Sequence, residues 1–76
     1  MNYETLQNKK IKTIKEGLAL IDELEEDSRT LLSRMREQID KDEWKLLEDM
    51  RYENKKAIHA LQSQITKIFK AQRSLR

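Results

Sequence analysis

Three acids crowd the middle of the chain: Asp40, Asp42 and Glu43. Carboxylates at this spacing are the raw material of a calcium loop. Such a loop needs a glycine at its tight turn, and none stands here. The group fits helix capping better. Asp40 can accept a hydrogen bond from a backbone N–H two or three residues on. Glu43 stands where a capping box places its acid, and Ile39 and Trp44 stand where a hydrophobic staple places its apolar pair. Acids in a first turn also suit the positive end of a helix.

The other reactive side chains are isolated. His59 is the one histidine and the chain has no cysteine, so the three or four ligands of a zinc site cannot be assembled. Ser63, Thr66 and Ser74 have no base at a spacing that would activate them. There is no glycine-rich phosphate loop. The residues therefore predict no catalytic, metal or cofactor site, and the chain is read as a non-enzymatic protein.

What remains is binding chemistry, and charge is the first clue. The net charge is only +2, but it is segregated. Residues 22–53 hold twelve acids against six bases, while residues 54–76 hold six bases and no acid. If the chain folds into a hairpin, both termini meet at one end. That end carries a charge near +8 and the turn half one near −6. Lys9, Lys10, Lys12, Lys67, Lys70 and Arg73 are the candidate phosphate contacts, on nucleic acid or, less favoured, a membrane surface. The competing reading is a solvated face, helped by cations at a helix C-terminus.

The elements that position these groups are helices. The chain has 76 residues, 39% of them charged, with one glycine and no proline, a composition of long exposed helices. Ile11, Ile14, Leu18 and Ile21 are three and four apart, and the same frame continues through Glu25 and Ser28 to Leu32, Met35 and Ile39. A second seam runs through Trp44, Leu47, Arg51, Asn54, Ile58, Leu61, Ile65, Ile68, Gln72 and Leu75. The second seam restarts five residues after Ile39, which would turn the stripe by about 140° in one unbroken helix. A turn removes the conflict. Antiparallel pairing of residues whose numbers sum to 79 then stacks the apolar layers, and sets Glu25 and Ser28 opposite Asn54 and Arg51. The polar layers are read as register devices.

The expected fold is all-α: an antiparallel two-helix coiled-coil hairpin, with one helix over about 3–38, a turn at about 39–41 and a second helix over about 41–75. A break at residues 25–28, giving three helices, and one long dimerising helix are the alternatives. Leu20, Leu24, Leu31, Leu46 and Met50 extend the stripes to one side. A broad apolar face of this kind marks an interface. The simplest occupant is a second copy, forming a four-helix bundle; a helix from a different protein is the next, and arms that roll to bury the leucines themselves the third. The expected function is a small cytoplasmic protein–protein interaction module, regulatory or scaffolding, acting as a homodimer. A nucleic-acid-binding dimer is the alternative. No apolar run approaches the ~20 residues of a membrane span, and the N-terminus lacks the form of a signal peptide.

Overall fold

The computed structural model describes residues 2–74; the expected seam position Leu75 and the charge of Arg76 lie outside the described residues. Three helices account for most of the described chain: α1 (Tyr3–Asn8), α2 (Ile14–Met35) and α3 (Lys41–Ser74). Each is opened by a polar side chain. The Asn2 side chain accepts from the Thr5 N–H at 3.2 Å, Thr13 from the Glu16 N–H at 3.0 Å, and Asp40 from the Glu43 N–H at 2.8 Å. Each cap satisfies one of the orphan donors of a helix start.

Helices α2 and α3 form the expected antiparallel hairpin. Near the turn, Arg34 meets Glu43; midway, the Asn54 side chain reaches the Leu24 carbonyl; further along, Gly17 lies against Ile65. The turn falls where the frame shift places it, but α2 ends at Met35 and residues 36–40 make the connection. Glu43 does not reach back to Asp40. Its carboxylate takes two N–H bonds from the Arg34 guanidinium, at 3.2 and 2.7 Å, clasping the two arms.

The first arm departs from expectation. A continuous helix over 3–38 is interrupted at residues 9–13, and the segment before the break folds back as α1. It runs antiparallel to α2, with Tyr3 beside Asp27, Gln7 beside Glu53 and the loop beside Gln64. The reason is local. Thr13 and Glu16 form a capping pair that starts α2 afresh, and the Glu16 carboxylate also accepts from the Lys12 N–H at 3.3 Å. The interruption lies well before the alternative break at residues 25–28, which is helical throughout.

The core joins seam residues Ile11, Ile21 and Leu61 to flank residues Leu24 and Ala57. Leu24, Ala57 and Leu61 are wholly buried, with Ile11 and Ile21 beside them; Tyr3, Leu6, Leu20, Ile58, Ile65 and Ile68 pack around this group. Leu18, a seam position by spacing, is 56% exposed. The arms have rolled toward the second stripe, because α1 adds apolar surface on that side. The molecule is a rod of 55 × 18 × 15 Å.

Candidate interaction surface

Two stripes define the face on which α1 lies. On α2, Gly17, Leu20, Leu24, Asp27 and Leu31 recur at three and four. On α3, Leu46, Met50, Glu53, Ala57, Ala60 and Gln64 recur at four and three. Leu20, Leu24, Leu31, Leu46 and Met50 among these are the apolar flank that the sequence offers as an interface. The structure places its members differently from one another. Leu24 and Leu31 are buried within the single chain, at 0% and 8% exposure, so neither presents a free surface. Leu20 is half-buried against the core. Leu46 and Met50, nearer the turn and ahead of α1, stay 61% and 38% exposed.

Helix α1 fills the rest of the face, and polar groups hold it. The Tyr3 hydroxyl donates to Asp27. Burial, and then that bond, push the hydroxyl's pKa above its ordinary value, while the Asn54 side chain acts the other way. The Gln7 amide donates to the Glu53 carboxylate at 2.8 Å and to its carbonyl at 3.1 Å. The Glu53 carboxylate lies below its ordinary pKa, chiefly through the Gln7 bond and then through Lys56. Gln64 straps the loop down: its oxygen accepts from the Ile11 N–H at 2.9 Å and its nitrogen donates to the Lys9 carbonyl at 2.6 Å. No residue of α1 is fully buried.

The polar layers resolve into one buried group and several peripheral ones. Asn54 is wholly buried and donates to the Leu24 carbonyl at 2.9 Å; its own oxygen has no partner among the described residues. Glu25, expected opposite it, is exposed. The Arg51 Nε is buried and likewise unpartnered.

The basic end is assembled otherwise than expected. The start of α1 does not lie there, because the helix folds back to place Tyr3 beside Asp27. The loop takes its place. Gln64 fixes the backbone of Lys9 and Ile11 against α3, so the loop carrying Lys9, Lys10 and Lys12 lies one turn of α3 before Lys67, while Lys70 and Arg73 continue along the last turns. All six are exposed, and among the described residues none forms an ion pair. The Arg73 guanidinium lies 5.9 Å from the centre of the Phe69 ring, itself 51% exposed.

Spacing does not reveal that Tyr3 meets Asp27, Gln7 meets Glu53 and Gln64 meets the backbone of Lys9 and Ile11. The signal that could have found them is the Thr13–Glu16 capping pair, which ends the first helix early and frees residues 3–8 to fold back. Among the described residues no helix is long and apolar enough to cross a membrane, and no group of His, Asp and Glu is placed to hold a metal ion. No family model, curated protein or solved structure matches the chain.

Proposed function

We propose that the protein is a small non-enzymatic interaction module, regulatory or scaffolding, that binds a helix of a protein partner along the α2–α3 face. The observation that carries this reading is α1 itself. A short helix already packs on this face, against α3 and with Tyr3 reaching Asp27 of α2, and Leu46 and Met50 carry the stripe on toward the turn. Helix-in-groove recognition uses anchors at this spacing. The acids of the turn half favour a cationic amphipathic partner. A second copy, giving a homodimer and a four-helix bundle, is the simplest source of matching helices. The probe is a fluorescent three-turn Leu/Lys amphipathic peptide. Binding should be lost in Leu46→Glu and kept in Tyr52→Glu, a change at an exposed residue off the stripe. Leu24→Glu is unsuitable, because Leu24 lies in the core. Equal binding by both variants would refute the groove.

The second reading is a nucleic-acid-binding helical module, favoured by the Gln64 strap that gathers lysines from loop and helix at one end. It predicts affinity for single- or double-stranded oligonucleotides that falls steeply with salt, and that Lys9→Glu and Lys67→Glu each weaken.

A further inference from the structure

We propose that α1 is a lid over a docking face for a second copy of this chain, and that it opens by swinging into line with α2. The proposal rests on the interaction reading above and supplies its regulation.

The hinge permits helix. Residues 9–13 are Lys-Lys-Ile-Lys-Thr, with neither glycine nor proline. What interrupts the helix is the Thr13 cap and the two bonds from Gln64, not a residue that forbids helical geometry. Alternative partners are therefore enough to straighten it.

The other arm has room for the straightened segment. Helix α3 has 34 residues and α2 has 22. Residues 69–74 of α3 project past the hairpin, and every one is exposed, Phe69 included. Helix through residues 3–13 would lengthen α2 by about three turns, enough to cover this overhang and give Phe69 an apolar neighbour. The bonds that α1 gives up are few, and its residues are at most half-buried.

The vacated face suits a second copy. It would present Leu20, Leu24, Ala57 and Ala60 in continuity with Leu46 and Met50. Two copies facing each other about a two-fold axis, rods antiparallel, bring the acidic turn half of each onto the basic half of the other. Parallel rods would set like charge on like. The charge pattern thus selects one self-complementary arrangement.

The test uses full-length chains with spin labels on cysteines placed at Glu4 and Gln72, both exposed in a chain without native cysteine. Closed, the labels lie about 30 Å apart along the rod; open, under about 15 Å. Gln64→Ala removes the strap and should shorten the distance and raise the dimerisation constant about tenfold. Lys10→Pro blocks a continuous helix and is compatible with the extended backbone of Lys9, ψ 134°; it should keep the long distance and stay monomeric. A Lys10→Pro chain that dimerises like the unmodified one overturns the lid, while the interaction face stands. Opening without dimerisation overturns the second copy as occupant. A Gln64→Ala chain that keeps the long distance overturns the swing. If, in addition, no chain associates or binds the amphipathic peptide, the interaction reading falls as well.

Discussion

Gly17 and Asn54 carry more of the architecture than their size suggests. A Cβ on Gly17 would lie 2.6 Å from the Ile11 Cδ1 and 2.8 Å from two side-chain carbons of Ile65. Alanine gains roughly 1 kcal/mol of helix propensity there and meets an overpacking penalty of about 1–3 kcal/mol. Gly17→Ala should therefore be neutral to mildly destabilising in urea unfolding, and Gly17→Val clearly destabilising. In both, Ile11 is the neighbour best able to move, so the loop should gain faster amide exchange before the hairpin does. Asn54 separates a different pair of effects. In Asn54→Asp, a carboxylate oxygen would face the Leu24 carbonyl with no donor between them, in a buried site. Breaking a buried polar arrangement in this way costs about 3 kcal/mol or more. Asn54→Leu also removes the unpartnered oxygen, and should cost no more than about 1 kcal/mol. Urea midpoints in the reverse order would show that the Asn54 oxygen has a donor after all. The sequence marks both positions, as a lone glycine and a polar seam residue, but not their contacts. Spacing specifies which face a residue occupies, and leaves open which neighbour arrives there.

Among the elements, the hairpin was legible and α1 was not. Two seams out of phase by five residues require a turn, and the Asp40 cap fixes where α3 begins; both rest on the chain's own periodicity. The fold-back of α1 rests on polar contacts far apart in sequence: Tyr3 with Asp27, Gln7 with Glu53, and Gln64 with the loop. No local pattern encodes such pairs, and residues 3–13 are compatible with helix throughout. The same contacts make α1 sensitive to pH. Glu53 has its pKa depressed in the folded chain, so its contribution is present above the ordinary value of 4.5 and lost as pH falls through the depressed one. Tyr3 has its pKa raised, so its contribution is present below the ordinary value of 10.0 and lost as pH rises through the raised one. Docking of α1 should hold across neutral pH and weaken at both extremes. The distance between labels at residues 4 and 72 reports it directly. Tyr3→Phe should remove the alkaline limb alone, and Glu53→Gln the acidic limb alone.

For the whole molecule, charge polarity distinguishes the two binding readings. Asp42 and Asp49 stand one heptad apart on α3. Lys67 follows Asp49 by eighteen residues, five full turns, and so lies on the same edge of the helix. An antiparallel pair of rods with its two-fold axis near Ile58 sets each Asp49 close to the partner's Lys67. Self-association should then weaken as salt rises past the concentration at which the Debye length is about 10 Å. Salt alone does not decide between protein and nucleic acid, because phosphate binding weakens too. A charge swap does. A chain carrying Lys67→Glu and Lys70→Glu opposes acid to acid in both contacts of its own dimer. A chain carrying Asp42→Lys and Asp49→Lys opposes base to base. Each should sediment as a monomer, and an equimolar mixture should recover the dimer, since both contacts of the mixed pair are then attractive. If the lysines serve phosphate instead, the first chain loses oligonucleotide binding, and the mixture binds only through the second chain. The second chain, with a net charge four units more positive than that of the unmodified protein, should then bind the oligonucleotide more tightly.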